Sequence, residues 1–276
     1  MAELLFGTAG VPHTAETRTT IDGIRRIAEL GLGCMEIEFV QGVRMGEDGA
    51  RLVAEVAREH GIKLSAHAPY YINMNAHEPD KVIASQERLY QTAHIGGLCG
   101  IRSAVFHPAF YLGDEPETAY QAVKKNVAEV KERLEKDGNR VRLRPELMGK
   151  PSQFGSLEEI LRLCADLDGL LPCIDFSHWH ARTAAYNSYD EFSSMLKQIE
   201  EKLGRTALED LHVHFSGINY GPKGEKNHLD LKESDMHYTE LLQALKDSGA
   251  GGLVVCESPN LEEDAVMIQE IYNGLS

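Results

Sequence analysis

The chain has 276 residues, of which 42% are hydrophobic and 26% are charged, and these values are typical of a soluble globular protein. The formal net charge of −15 excludes a general electrostatic affinity for nucleic acid, so a polyanionic partner would need a local basic surface or bound cations. No apolar run is long enough for a membrane span, and the N-terminus MAELLFGTAG shows no signal-peptide pattern. Five scattered cysteines without a CxxC pair indicate a reducing, cytoplasmic environment.

Short apolar runs alternate with amphipathic segments along the whole chain. The predicted strands are residues 4–8, 35–40, 62–66, 103–106, 142–147, 171–174, 211–215 and 252–256. The predicted helices are residues 17–30, 49–60, 79–98, 116–136, 157–167, 189–203, 238–247 and 261–272. Eight strand–helix units predict an α/β fold, a (β/α)8 TIM barrel that forms a single domain over residues 1–276. A doubly wound open sheet is the competing architecture, but no GxGxxG follows the first strand.

Histidines and carboxylates follow the predicted strands at the point where each strand ends. The clearest case is CIDFSHWH (173–180), where an Asp and a His stand three residues apart behind a short apolar strand. In a (β/α)8 barrel the C-terminal ends of the strands meet on one face, where active sites are built. That face is predicted to collect these candidate ligands: His67, His107, Glu146, Asp175, His178, His212, His214, His228 and Glu257.

Imidazoles and carboxylates are the ligands that zinc and related borderline metal ions prefer. Several carboxylates in one pocket repel each other and are costly to remove from water unless cations accompany them. The convergence of both residue types therefore predicts a site for more than one metal ion.

Each candidate also has a structural explanation when it is taken alone. A single strand-end histidine is commonly a hydrogen-bonded core residue, Glu146 has Arg142 and Arg144 close by for an ion pair, and Glu257 precedes a helix that it could cap. The joint pattern favours a site because six consecutive strand ends carry such groups. His180 remains open as a ligand. The histidines that lack the pattern are His13, His60, His77, His94 and His237.

A set of short motifs occurs in a fixed order over nearly the whole chain. The motifs are AHAPYYIN (66–73), FHP (106–108), Glu146, CIDFSH (173–178), LHVHFS (211–216), NH (227–228) and CES (256–258). This ordered set resembles the endonuclease IV family, which belongs to the xylose isomerase-like barrels. The resemblance implies a DNA repair enzyme that cleaves the phosphodiester 5′ to an abasic site, using three zinc ions in a (β/α)8 barrel.

The same resemblance implies a role for each matching residue. It assigns ligands to the three zinc ions in this order: His67, His107 and Glu146; Glu146, Asp175, His212 and Glu257; His178 and His228. Glu146 would bridge two zinc ions, while Glu257 and Asp175 would orient the nucleophile, which makes these three carboxylates the candidate catalytic residues. Tyr70 matches a side chain that wedges into the helix where the base is missing, and Arg44 loosely matches an inserting DNA-contact residue.

Two positions depart from the family pattern. Where the family has a carboxylate two residues before the histidine, this chain has Lys226 before His228. The nearest carboxylate is Glu225, one residue off register. Either Glu225 replaces the missing ligand, or the third metal site is weak and Lys226 contacts the phosphate, and we favour the weak site. The seventh strand reads HVH where the family has one ligand histidine, so that His212 and His214 are alternatives or both contribute.

The sequence leaves one other enzyme class open. A sugar isomerase or epimerase on the same type of barrel resembles this chain in needing one divalent metal, held by Glu146, Asp175, one seventh-strand histidine and Glu257. The additional imidazoles favour the nuclease. We expect two to three Zn²⁺ ions per chain, with Mn²⁺ as a substitute, a monomer, DNA with abasic sites as the partner, and no membrane association. Loop residues Lys150, Arg182, Lys223 and Lys226 are candidates for phosphate contacts.

Overall fold

The computed structural model describes residues 3–276. Its strands are β1 (Leu4–Ala9), β2 (Cys34–Glu38), β3 (Lys63–His67), β4 (Ser103–Phe106), β5 (Ala109–Phe110), β6 (Arg142–Pro145), β7 (Gln153–Phe154), β8 (Cys173–Asp175), β9 (Leu211–Phe215), β10 (Gly217–Gly221), β11 (Gly224–Leu229) and β12 (Gly252–Cys256). Its helices are α1 (Thr20–Glu29), α2 (Glu47–His60), α3 (Pro79–Leu98), α4 (Pro116–Lys136), α5 (Leu157–Asp166), α6 (Phe176–Thr183), α7 (Tyr189–Leu203), α8 (Arg205–Glu209), α9 (Tyr238–Asp247) and α10 (Glu262–Gly274), with a 3-10 turn at Leu231–Glu233.

Eight strands form one parallel sheet in the order β6-β4-β3-β2-β1-β12-β9-β8. The two outer strands meet through a parallel bridge between Glu146 and Cys173, where Leu147 N donates to Cys173 O at 3.1 Å. The sheet thus closes into a barrel with helices between successive strands, which confirms the predicted (β/α)8 fold. The C-terminal strand ends point to one face of the barrel.

The helices form where amphipathic periodicity and capping residues coincide. In α1, Thr19 is the N-cap and its hydroxyl accepts a hydrogen bond from Asp22 N, while Ile24 and Ile27 are buried. In α5, Ser156 and Glu159 form a reciprocal capping box. The bounds of α3, α4, α7 and α9 agree with the sequence prediction, and α3 and α4 each begin at a proline, which favours the first turn of a helix.

Two segments that were predicted as loops are ordered elements at the C-terminal face. The eight-residue helix α6 follows β8 directly, and β10 and β11 form an antiparallel hairpin after β9. Both are too short and too polar for a periodicity signal, because α6 reads FSHWHART and β11 reads GEKNHL. Their stability comes from packing on the barrel rather than from their own sequences.

The N-terminal side of the barrel is held by a buried guanidinium. Arg144 is 1% exposed and donates hydrogen bonds to Ser103 Oγ, Pro172 O, Asp210 O and Asp210 Oδ1. It therefore points away from Glu146, and the ion pair considered for that carboxylate does not form. Among residues 3–276, no helix combines the length and the apolar character needed to cross a bilayer.

Candidate metal centre

The C-terminal strand ends bring most of the predicted ligands into three adjacent groups. Within each group the candidate ligand atoms lie within 4.8 Å of one another. The groups are His67, His107 and Glu146; Glu146, Asp175, His214 and Glu257; and His178, Glu225 and His228. Glu146 belongs to two groups, and the third is joined to them because His178 Nδ1 lies 3.1 Å from Glu146 Oε1.

The first group is built by the ends of three neighbouring strands, β3, β4 and β6. His67 Nε2 lies 3.1 Å and His107 Nε2 lies 3.2 Å from the same oxygen, Glu146 Oε2. His67 Nδ1 lies 2.8 Å from Ala68 O, a carbonyl that can only accept, so we place the ring proton on Nδ1. His67 Nε2 and Glu146 Oε2 thus face each other, and a cation that displaces the proton between them would meet two ligand atoms.

Helix α6 explains why Asp175 and His178 stand three residues apart. Asp175 is the N-cap of this helix, and its Oδ1 accepts a hydrogen bond of 2.7 Å from His178 N. The other oxygen, Oδ2, is buried and accepts no hydrogen bond. The cap thus fixes both side chains at the strand end and leaves one carboxylate oxygen available for a cation.

A β-bulge builds the third group. Asn219 pairs with Asn227 and Tyr220 pairs with Glu225, so Lys226 is an extra residue with no partner on the opposite strand. The bulge changes the alternation of side chains and places Glu225 on the same side as His228. Glu225 Oε2 consequently lies 3.6 Å from His178 Nε2. The bulge absorbs the extra residue, so Glu225, the alternative ligand that the sequence left open, lies with His178 and His228 although it is one residue off register in the sequence.

Gly149 allows the hairpin to approach the strand-end site this closely. A Cβ on Gly149 would stand 2.8 Å from Glu225 Cβ, 2.9 Å from Glu225 Oε2 and 3.1 Å from His178 Cδ2. Gly149 O also accepts a hydrogen bond of 3.0 Å from Glu225 N. Any larger residue at this position would push the third group apart.

The hydrogen bonds of the imidazoles fit divalent cations between them. His178 Nδ1 lies 3.1 Å from Leu147 O, and His228 Nδ1 lies 3.1 Å from Glu257 O, which places the ring protons on the Nδ1 atoms. The two Nε2 lone pairs then face each other at 3.5 Å. Two acceptors at this distance repel unless a cation lies between them, so the residues of the groups fit bound metal ions.

Of the two histidines on β9, His214 rather than His212 faces the carboxylates. His214 Nδ1 lies 3.5 Å from both Glu146 Oε1 and Glu257 Oε1, while His214 Nε2 lies 2.9 Å from Glu36 Oε1. His212 is two residues earlier on the strand and lies one layer deeper in the barrel, with Nε2 3.0 Å from Glu36 Oε2. The assignment of His212 to the Glu146–Asp175–Glu257 group therefore does not hold, because both histidines point into the barrel and His214 lies one layer closer to the C-terminal strand ends.

The charges of the site shift the proton affinities of its members. Burial raises the pKa of Asp175 to about 6, against the opposing attraction of His178. Burial alone would lower the pKa of His67, but the hydrogen bond and charge of Glu146 outweigh it and raise the value to about 9. Burial would likewise raise the pKa of Glu146, yet the surrounding imidazoles, His107 foremost, hold it well below its usual range.

The candidate substrate contacts lie at the rim of this site. Tyr70 is 52% exposed and stacks on His107 with ring centroids 5.2 Å apart. Arg44 is exposed and lines a separate cleft beside the end of β2. Lys226 is exposed, and its ammonium end lies against Gly221 at the tip of the hairpin.

Two other candidates have structural partners instead. Arg182 belongs to α6, and its Nη1 donates hydrogen bonds to the carbonyls of Met148, Lys150 and Gln153, which ties this side chain to the segment after β6. His180 Nδ1 lies 2.8 Å from Ala185 O and its Nε2 lies 3.3 Å from Asp235 Oδ1, away from the three groups.

Sequence reasoning missed the carboxylates of β2. Glu36 and Glu38 are two residues apart on this strand, so both side chains face the barrel interior. Burial raises the pKa of Glu38 to about 8, and its Oε1 has no hydrogen-bond partner. The signal was present in MEIEFV, where two acids interrupt an otherwise apolar strand at the inward positions.

Comparison with known proteins agrees with this architecture. A family model described as xylose isomerase-like TIM barrel matches residues 24–271, so the chain belongs to this family. Endonucleases of the type expected from the motifs are among its relatives.

The individual relatives include both nuclease and epimerase names. The chain is 47% identical over 274 residues to Uncharacterized protein MJ0133 of Methanocaldococcus jannaschii, which covers 99% of this chain and 98% of that protein. It is 28% identical over 180 residues to the probable endonuclease 4 of Staphylococcus carnosus, covering 63% of this chain and 59% of that protein.

Two solved structures share the fold over nearly the whole chain. Endonuclease IV from Thermus thermophilus superposes with a TM-score of 0.75 at 19% identity, covering 97% of each chain. A D-tagatose 3-epimerase-like protein superposes with a TM-score of 0.74 at 20% identity, covering 96% of each chain. Fold similarity alone therefore does not distinguish the two reactions.

Proposed function

We propose that this protein is a zinc-dependent endonuclease that hydrolyses the phosphodiester 5′ to abasic sites in DNA. The observation that carries the proposal is the presence of three adjacent ligand groups, two of which share Glu146. A cluster of this kind suits phosphodiester hydrolysis, in which the attacking oxygen, the phosphate and the leaving oxygen all carry charge at once.

The residues divide into binding and orienting roles. Cations bound in the three groups would lower the pKa of water and neutralise charge on the phosphate. His67, His107, His178 and His228 contribute neutral ligand nitrogens, while Glu146 provides an oxygen to each of two adjacent groups. Glu257 Oε2 and Asp175 Oδ2 accept no hydrogen bond, so they are free to orient an attacking water by accepting its protons.

The rim would recognise the missing base. Tyr70 is exposed beside His107, and its ring would fill the gap that an absent base leaves in the stack. Extruding an abasic sugar-phosphate costs less than extruding a normal nucleotide, because no base stacking is lost. Lys226 and Arg44 are exposed near the same face and would contact the DNA backbone.

The acidic composition is compatible with this substrate only if the cations are present. The formal net charge is −15, and the carboxylates at the strand ends would repel a phosphate in the metal-free protein. Two or three divalent cations would offset the charge of these carboxylates at the place where the phosphate must lie.

The test is cleavage of a labelled DNA duplex that contains one abasic-site analogue, with and without a chelator. We expect one cut 5′ to the analogue by the zinc-loaded protein, and loss of the cut in chelator. His107→Ala should remove most of the cleavage, whereas His94→Ala, in which the altered histidine lies on α3, should not. An uncut abasic duplex with metal-loaded wild-type protein would contradict the proposal.

A sugar epimerase is the second candidate, and one observation favours it. Glu146, Asp175, His214 and Glu257 form a complete four-ligand group on their own, which would hold the single divalent metal of such an enzyme. Interconversion of ketohexoses by the wild-type protein, unaffected by His107→Ala and without cleavage of abasic DNA, would establish this alternative.

A further inference from the structure

A second polar layer lies inside the barrel, below the three ligand groups. Cys173, His212, His214, Glu36 and Ser65 are all fully buried there. The candidate ligand atoms of Cys173, His212 and His214 lie within 4.8 Å of one another. Barrel interiors at this depth are normally filled by branched apolar side chains, so this polar cluster requires an explanation.

Glu36 is the carboxylate of the layer. His212 Nε2 lies 3.0 Å from its Oε2, His214 Nε2 lies 2.9 Å from its Oε1, and Ser65 Oγ donates a hydrogen bond of 2.7 Å to Oε2. The hydroxyl and the His214 ring therefore compensate part of the burial of this charge. His212 does not, because its contact with Glu36 lacks hydrogen-bond geometry.

His212 is the residue that packing leaves unexplained. Its Nδ1 has no hydrogen-bond partner although the side chain is fully buried, and its Nε2 has only the contact of 3.0 Å with Glu36 Oε2. Each buried nitrogen without a partner costs about 1–3 kcal/mol, so a neutral, unliganded imidazole is a poor occupant of this position. A cation bound to one of these nitrogens would remove much of that cost.

We propose that Cys173, His212 and His214 form a lower metal site, with Glu36 as the adjacent countercharge, that binds one thiophilic divalent cation such as Zn²⁺ or Co²⁺. Sulfur and imidazole nitrogen are the donor set that such cations prefer, whereas Mg²⁺ and Ca²⁺ prefer oxygen. One thiolate and one carboxylate balance the double positive charge, which reduces the cost of burying the ion.

The lower site has two physical consequences. Burial raises the pKa of the Cys173 thiol, so binding of the cation as a thiolate complex releases one proton. The ion lies below the strand-end groups, and His214 is common to both layers. A chelator should therefore remove the strand-end ions first and the lower ion last.

The test is reconstitution of the metal-free full-length chain with Co²⁺ alone. A cobalt–thiolate bond gives a charge-transfer absorption in the near ultraviolet that nitrogen and oxygen ligands do not give. We expect this band in the wild type, its loss together with one equivalent of bound cobalt in Cys173→Ala, and its retention in Cys164→Ala, a buried cysteine with no candidate ligand partners among residues 3–276.

The spectrum of the cobalt-loaded wild type tests the proposal even if Cys173→Ala fails to fold. The absence of the band in cobalt-saturated wild type would overturn the proposal, and so would a band that persists in Cys173→Ala. The result is independent of the proposed nuclease activity, because no DNA is involved. Loss of the band in His212→Asn, with an unchanged band in Glu146→Gln, would further assign it to the lower layer.

Discussion

Buried charged groups occur at both ends of this barrel, but their hydrogen bonding differs. At the N-terminal end, Arg144 is fully buried and donates from Nε, Nη1 and Nη2 to partners that the fold provides. At the C-terminal end, buried polar atoms remain without partners, and they belong to Glu38, Asp175, His212, His214 and Glu257. The hydrogen bonds of Arg144 stabilise the fold. The unpartnered atoms at the C-terminal end cost stability, because a buried polar atom without a partner is unfavourable, and this is the pattern expected of a ligand site.

The comparison predicts opposite responses to mutation at the two ends. Removal of a partnered group at the N-terminal end should cost stability without changing metal binding. Removal of a ligand at the C-terminal end should cost metal and activity with little loss of stability, because functional sites commonly carry such local cost.

The largest effect is expected for Glu146→Gln, since this residue contributes to two ligand groups. The amide keeps the shape of the side chain but removes the negative charge. We expect abasic-site cleavage to fall by about 1000-fold, equivalent to about 4 kcal/mol. The measurement is the single-turnover rate at saturating zinc, together with the unfolding free energy, which should hardly change. A variant that retains wild-type cleavage would remove Glu146 from the mechanism.

Arg144→Met tests the opposite response, a loss of stability without a loss of metal binding, at the N-terminal end. Loss of the guanidinium leaves Ser103 Oγ and the Asp210 carboxylate without their donor, so the unfolding free energy should fall by about 3 kcal/mol. Urea denaturation measures this change, and zinc content per folded chain should remain that of the wild type. Arg142→Met is the matched control, because its pair with the half-exposed Asp210 is worth at most about 1 kcal/mol. Equal losses in both variants would contradict the comparison.

The bulge at Lys226 gives a third prediction. Because Glu225 faces His178 and His228, Glu225→Gln should weaken one metal site on the order of a hundredfold, whereas Lys226→Gln should leave metal affinity nearly unchanged. Titration with zinc against a competing chelator measures both. A tighter site in Lys226→Asp, with no effect of Glu225→Gln, would show that position 226 supplies the ligand after all.

The smallest effect is expected at the rim. Tyr70→Ala should weaken binding to an abasic duplex by about 1–3 kcal/mol, because a stacking ring is lost where the base is missing. Binding to an intact duplex should change less, and Tyr71→Ala, which removes a neighbouring exposed ring, is the matched control. Fluorescence anisotropy at one fixed salt concentration gives the affinities of the wild type and of both variants for the two duplexes. Equal losses on both duplexes would make Tyr70 an ordinary surface residue.

The sequence by itself determined the barrel and the face on which the site lies. Strand and helix signals are local, because apolar periodicity and end residues such as Thr19 and Ser156 act within a few positions. The parallel order of the strands then brings their C-terminal ends together, so His67, Glu146 and Asp175 were predicted to meet although they lie far apart in the chain.

The tertiary structure decided which neighbouring side chain faces the site. On β9, His214 and His212 both point into the barrel, and the position of the strand end sets His214 at the level of the carboxylates. On β11 a bulge replaces position 226 by Glu225. The register of a strand depends on what its partner strands and the hairpin turn allow, and Gly149, far away in the sequence, gives the hairpin room to approach. These choices are made by long-range packing, which has no signature within the segment that it arranges.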